Sequence, residues 1–182
     1  DLVYYKPCVD NLEYAAKNVN NKSENKDVSF DYLNIDPDWE PGFRIWGMAD
    51  DLLCGNGLYA SYTYFKSETT EQITYPSTAS AVINATGAYS LEYHEWDLLF
   101  TAKLSCNPCA NFVPFIGLSG VKIDQSKVNR FSKEDRFDTT IFDSELSAWG
   151  LKTGTFFQVR FGRCLSLFSQ FDASLLAGKP KN

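Results

Sequence analysis

The sequence lacks several features, and each absence excludes or disfavours a class of protein. The 182 residues include one histidine and one methionine, with no basic run and no long apolar run. A transmembrane helix needs about 20 consecutive apolar residues, so the sequence predicts no such helix. Membrane-spanning β-strands stay open, because their signal per strand is weak. A net charge of −6 and a pI near 4.8 argue against a nucleic-acid partner, which favours a basic surface.

Aromatic residues are unusually frequent in this sequence. They form 15% of the chain, with 10 Tyr, 14 Phe and 4 Trp. Strands in general and membrane β-barrels in particular favour such residues. The length suits one domain, and we predict a single β-barrel domain over residues 1–182.

The segment Tyr89–Asp124 carries the clearest pattern. It predicts two long strands joined by a tight turn at Ser105–Asn111. From His94 onward, residues alternate between a mainly apolar face and a mainly polar face, which indicates a strand with two different surroundings. Globular strands usually run about 5–6 residues, whereas a tilted membrane strand needs about 9–11. The length therefore favours a transmembrane hairpin.

The rest of the chain divides into strands and connections of alternating length. Long connections fall at 18–38, 67–88 and 125–143, and short ones at 50–57, 105–111 and 162–164. Outer-membrane barrels have long external loops and short periplasmic turns. Besides the hairpin, the predicted strands are Leu2–Lys17 (bent near Pro7), Trp39–Met48, Leu58–Lys66, Ser144–Phe161 and Leu165–Ala177.

These features predict an all-β fold, an antiparallel up-and-down transmembrane β-barrel. About 7–8 strands are present, and a closed bacterial barrel normally has an even number. We therefore expect an incomplete barrel that belongs to a larger one. The short turns would lie in the periplasm.

Charged and amide side chains on the polar face of the long strands are the candidate functional residues. Arg or Lys facing lipid would cost several kcal/mol at mid-depth, so these residues should face the lumen. There they either set ion selectivity or form salt bridges that stiffen the wall. The predicted pore-lining set is Arg44, Glu95, Asp97, Lys103, Lys152, Gln158, Arg160 and Asp172.

The opposite face of the same strands is apolar and would contact lipid. A soluble protein could instead turn this face inward as its core. The predicted lipid-facing residues are Phe43, Ile45, Trp96, Leu98, Phe100, Leu151, Phe157, Val159, Leu167, Phe171 and Leu175. Interfacial aromatic girdles would include Trp39, Tyr89, Trp149 and Phe161.

Five cysteines leave at least one thiol free or bonded to another chain. Cys106-Asn-Pro-Cys109 has the spacing of a redox motif or of half a zinc site, but the βα context and a second such pair are missing. Four cysteines map to the short turns, and Cys8 is expected nearer that end. Structural disulfides and simple turn residues both fit. The disulfide candidates are Cys8, Cys54, Cys106, Cys109 and Cys164.

Catalysis has little support. His94 is the only histidine, with Ser90 and Glu92 nearby, but no nucleophile elbow surrounds a serine. We expect no enzyme activity, no cofactor and no metal site.

Several segments resemble the Legionella-type major outer membrane protein family, in the form found in environmental Chlamydia-like bacteria. The resemblance runs from about Asp1 to Pro180. It implies a barrel in the bacterial outer membrane with porin activity. Family members are longer, so the chain would be an N-terminal portion. The matching segments are Trp39–Arg44, Ala60–Phe65, Tyr93–Leu99, Ser105–Cys109, Phe115–Gly120 and Leu175–Pro180.

Three functions follow as hypotheses. The first is a porin-like barrel for passive passage of ions and small solutes, with outer-membrane lipid and further copies of itself as candidate partners. The second is a non-catalytic structural or adhesive surface protein, cross-linked by disulfides to other envelope proteins. The third is a soluble ligand-binding barrel of lipocalin type.

Overall fold

The structure, a computed structural model, consists of β-strands. It describes residues 1–8, 12–18, 30–53, 56–76, 82–102, 104–107, 110–133, 136–161 and 165–181. No helix long and apolar enough to cross a membrane occurs in those ranges. The strands are β1 (Leu2–Tyr5), β2 (Glu13–Asn18), β3 (Phe30–Asn34), β4 (Glu40–Leu53), β5 (Asn56–Pro76), β6 (Val82–Ala102), β7 (Leu104–Asn107), β8 (Ala110–Lys133), β9 (Arg136–Phe161) and β10 (Leu165–Lys181).

Eight strands form one large antiparallel sheet. Its order is β1-β4-β5-β6-β8-β9-β10, and β7 pairs with β8 as a short extension of β6. Strands β2 and β3 form a separate hairpin. The all-β antiparallel prediction is confirmed. Among the described residues, β1 and β10 are the two edges of the sheet and no ladder joins them, so the sheet is not closed into a barrel.

The two faces of the large sheet differ sharply, because side chains alternate along each strand. One face, here called the buried face, carries Thr63, Asp97, Leu99 and Lys152, all buried. The other, the exposed face, carries large apolar side chains open to the surroundings. All members of the predicted lipid-facing set lie there, and all are exposed except the half-buried Val159.

The predicted first strand is wrong as a single element. Leu2–Tyr5 pairs with the start of β4, whereas Glu13–Asn18 leaves the large sheet and pairs with β3. Pro7 lies between the two parts, and proline has no backbone N–H to continue a ladder. Alternation alone cannot reveal that a chain changes its partner.

All three predicted long loops are also wrong: β3 lies within 18–38, and strands continue through most of 67–88 and 125–143. Strands β5 and β6 pair as far as Pro76 and Val82, and β8 and β9 as far as Lys133 and Arg136. These extensions are rich in Thr, Ser and Asn on both faces, so they lack the apolar–polar alternation that marks a half-buried strand. The three short connections are confirmed as short.

Glycines allow close approach of neighbouring strands. A Cβ at Gly150 would collide with the backbone carbonyl oxygen of Leu175 and lie 2.8 Å from the Cα of Leu176. A Cβ at Gly47 would have no atom within 4 Å. The β9–β10 ladder is therefore sensitive to any side chain at Gly150.

We expect Gly150→Ala to lower the free energy of unfolding by about 1–3 kcal/mol, as overpacking does. Gly47→Ala, the matched control, should change it by less than about 0.5 kcal/mol. Urea unfolding of the detergent-folded protein measures both. Equal midpoints for the two variants would contradict this account of the close approach.

Candidate functional site

The centre of the buried face is an ion-pair cluster around Lys152. Its ammonium Nζ donates hydrogen bonds to Glu95 Oε1 at 2.8 Å and to Asp97 Oδ2 at 3.0 Å. Asp172 Oδ2 completes the set at 3.4 Å. The side chains of Lys152 and Asp97 are only 3% and 1% exposed, so water screens this pair little.

Hydroxyl groups complete the environment of Asp97. Ser61 Oγ donates to Asp97 Oδ2 at 3.1 Å and Ser119 Oγ donates to Oδ1 at 2.7 Å. Tyr93 OH donates to Glu95 Oε2 at 3.2 Å. Both oxygens of the buried carboxylate are thus hydrogen-bonded, as a charge removed from water requires.

The register of the sheet brings these side chains together from five strands. Ser61, Asp97, Ser119 and Gly150 lie side by side on β5, β6, β8 and β9. Lys152 is the next residue on the same face of β9, and its direct neighbour on β8 is Gly117. The two glycines carry no side chain beyond Cα, which leaves room for the long lysine side chain.

Four of the eight residues predicted to line a pore meet in this cluster: Glu95, Asp97, Lys152 and Asp172. Among the described residues, Arg44, Gln158 and Arg160 form no ion pair with this cluster. Gln158 accepts a hydrogen bond from Asn111 at 3.3 Å, and Arg160 is exposed. The Nε of half-buried Arg44 has no hydrogen-bond partner, and Lys103 lies outside the described residues.

Ser61 and Ser119 were not among the predicted site residues. Both lie on the buried face of the sheet, as Asp97 does. The alternation in the sequence assigns Ser61 to that face, but the pattern around Ser119 is ambiguous. Their role depends on sheet register, because each contacts Asp97 from a neighbouring strand. One ammonium faces three carboxylates, so the ionised cluster keeps a negative excess that would attract cations.

Cys8 has a free, exposed thiol. Its predicted position near the short turns is wrong: β1 runs antiparallel to β4, so Tyr5 pairs with Glu40 at the opposite end. Cys54, Cys109 and Cys164 lie outside the described residues, and for Cys106 only the backbone in β7 is described. Their disulfides stay a prediction.

Aromatic side chains form a row across the exposed face. Trp96, Gly120 and Trp149 are direct neighbours on β6, β8 and β9. Because Gly120 has no side chain, the two tryptophan rings meet above it, with centroids 5.1 Å apart. Tyr62 extends the row on β5, and its hydroxyl lies 2.7 Å from His94 Nδ1. The second nitrogen of His94 lies 3.2 Å from Glu92 Oε1.

The predicted position of Tyr89 in an aromatic girdle is wrong. Its ring has the parity of the buried face and is 3% exposed. Trp39, Trp149 and Phe161 are exposed as expected.

A charged row follows the aromatic row, farther from the three short connections. Lys66, Glu92, Asp124, Glu145 and Lys181 are successive cross-strand neighbours. Lys122 Nζ lies 2.8 Å from Asp124 and 3.7 Å from Glu145. The exposed face therefore changes from apolar through aromatic to charged within a few residues along each strand.

No group of three or more side chains suited to a metal ion occurs in the described part of the chain. A protein-family model described as "Legionella pneumophila major outer membrane protein precursor" matches residues 1–182. Comparisons with curated proteins and with solved structures gave no match.

Proposed function

Since the chain belongs to the Legionella pneumophila major outer membrane protein family, a family of the outer membrane by its name, we propose that its sheet is part of the wall of a transmembrane β-barrel. The barrel passes ions and small solutes passively, as a porin does. The observation that carries the proposal is the contrast between the two faces: an ion-pair cluster on one and exposed apolar side chains on the other.

The height of the apolar region suits a bilayer. Strands in barrels rise about 3.4 Å per residue and tilt by about 40°, which gives about 2.6 Å of height per residue. The exposed face from Trp149 to Phe161 then rises about 30 Å, which matches the thickness of a hydrocarbon core. Strands β8 and β9, with 24 and 26 residues, form one long hairpin. It extends past the apolar region at the end opposite the short connections.

The free edges of the sheet support membership of a larger barrel. Strand β10 has 17 residues and pairs on one side with β9. Open sheet edges exposed to lipid do not occur in the hydrocarbon region, so in this proposal further strands complete the wall beyond β1 and β10.

The Lys152 cluster suggests how the barrel wall would select among ions. Lys152 and Asp97 are too buried to meet passing ions, so their pair stiffens the wall. Glu95 and Asp172 are 20% and 30% exposed, and their carboxylates present the excess negative charge to the lumen. Rings of carboxylates favour cations in channels, and we expect the same here.

Conductance in planar bilayers tests the proposal. The full-length protein, refolded in detergent, should produce stable channels whose reversal potential in a KCl gradient indicates preference for K⁺. Neutralising both partly exposed carboxylates, Glu95→Gln with Asp172→Asn, should shift that potential toward zero. A folded barrel without conductance would refute porin activity, and an unchanged potential would refute the role of the cluster in selectivity.

The proposed surroundings follow from the same arrangement. We place the protein in the bacterial outer membrane, with lipid against the exposed face. Further copies of the chain, or envelope proteins bonded through thiols such as that of Cys8, are its proposed protein partners.

A further inference from the structure

A second element occupies the buried face, at the end of the sheet opposite the three short connections. Strands β2 and β3, with the flanking residues Leu12 and Ile35, are here called the N-terminal hairpin. Leu12 and Ile35 are buried in one apolar cluster with side chains of the large sheet, and Leu33 packs against it. The sheet residues in that cluster are Phe65, Ala85, Tyr89 and Leu91.

Polar contacts tie the hairpin to two strands of the sheet. Lys127 Nζ on β8 donates to the backbone carbonyl of Glu13 at 2.7 Å. The backbone N–H of Asp36 donates to Glu71 Oε1 on β5 at 3.2 Å. Both contacts are exposed. Burial lowers the pKa of the Lys127 ammonium, so the charge is partly withdrawn from water.

The interface is incomplete beneath these contacts. Ser67 Oγ, Tyr89 OH and Asn129 Oδ1 are buried on this face without a hydrogen-bond partner. Buried polar groups normally have partners, and leaving one without a partner is unfavourable. These three atoms therefore add no hydrogen bond that would hold the hairpin against the sheet. The docked position rests on the apolar cluster and on the two exposed hydrogen bonds.

The hairpin and the Lys152 cluster share one face of the same strands. On β6, Leu91 belongs to the apolar cluster shared with the hairpin, and Glu95 contacts Lys152. Only Tyr93 lies between them on that face of the strand. Any path along the buried face toward the cluster from the end opposite the short connections passes the hairpin.

We propose that the N-terminal hairpin is a movable constriction of this path: docked, it narrows the passage, and undocked, it opens it. The inference rests on the proposed porin function. The hairpin is part of the same chain, so its docking needs no partner protein.

Two measurements on the full-length protein test the constriction. Ile35→Asp places a charge in the apolar cluster. Hydrogen exchange of the β2 and β3 amides should accelerate about tenfold or more, because burial of one such side chain shifts an equilibrium by at least that factor. Single-channel conductance should rise with it. Asn34→Asp, an exposed neighbour with the same new side chain, is the matched control and should change neither.

A milder variant guards against misfolding. Glu71→Ala removes only the acceptor for Asp36 and should shift both readouts in the same direction by less. Amides of β6 and β8 should keep their slow exchange in every variant, which shows that the wall is folded.

The outcomes separate the two proposals. Faster hairpin exchange with unchanged conductance would overturn the constriction and leave porin function standing, and so would unchanged exchange in Ile35→Asp. A wild-type protein that folds but does not conduct would refute porin function and the constriction with it.

Discussion

Lys152→Met should lower the free energy of unfolding by about 3–5 kcal/mol, the usual result of removing one member of a buried ion pair. Lys152 is the cation shared by three carboxylates, at 2.8, 3.0 and 3.4 Å. Without it, the 1%-exposed Asp97 side chain is a buried charge with only serine hydroxyls to stabilise it. Urea unfolding of the detergent-folded protein measures the loss.

The source of this loss can be located with double variants. Asp97→Asn combined with Lys152→Met should recover about 1–3 kcal/mol of the loss, the coupling expected for contacting residues. Glu95→Gln combined with Lys152→Met should recover less, since partly exposed Glu95 can be hydrated. Lys179→Met is the control, because this exposed lysine of β10 should contribute under about 0.5 kcal/mol. Similar losses for Lys152→Met and Lys179→Met would contradict the role of the cluster.

The sequence predicts the faces of the sheet well and its extent poorly. Alternation assigned Asp97, Lys152 and Asp172 to one face and Leu98, Leu151 and Phe171 to the other, because the period of two follows directly from strand geometry. The extensions beyond Lys66 and before Tyr89 carry polar residues on both faces. There the backbone ladder continues with few buried apolar side chains, Ala85 among them, and a ladder by itself leaves no trace in the residue pattern.

The ion-pair cluster was predictable only as a set of residues on a common face. Which of them meet depends on register between strands far apart in sequence, such as β6 and β9, each paired with β8. Four of the predicted residues meet in the cluster and Arg160 does not. The register decides this, because it sets how far along the strands each residue lies.

The docking of the N-terminal hairpin lay beyond sequence reasoning for a similar reason. Leu12 shares its parity with Tyr14 and Ala16, and this alternation predicts a strand of the barrel wall. Nothing local distinguishes a strand in the wall from a hairpin packed on it. The same limit applies to Tyr89, which lies in the apolar cluster with Leu12 and Ile35 and not in an aromatic girdle.

Ile116→Arg should distinguish a membrane wall from a soluble sheet. Ile116 is 58% exposed and lies about 10 Å in height below the Trp96–Trp149 row, at four residues of about 2.6 Å each. That position is about 5 Å from the midpoint of the apolar region, which is about 30 Å high. In a bilayer, arginine there should cost about 2–4 kcal/mol, whereas on a water-exposed surface it should cost under about 0.5 kcal/mol.

Ile141→Arg is a closely matched control. Ile141 is 60% exposed, on the same face of the neighbouring strand β9, but beyond the charged row that contains Glu145. Arginine at this position meets water in either case, so its effect should stay small. Folding both variants into lipid vesicles and comparing their urea unfolding gives the difference directly. A deficit confined to Ile116→Arg places lipid against the exposed face, and two equally stable variants would favour the soluble ligand-binding barrel instead.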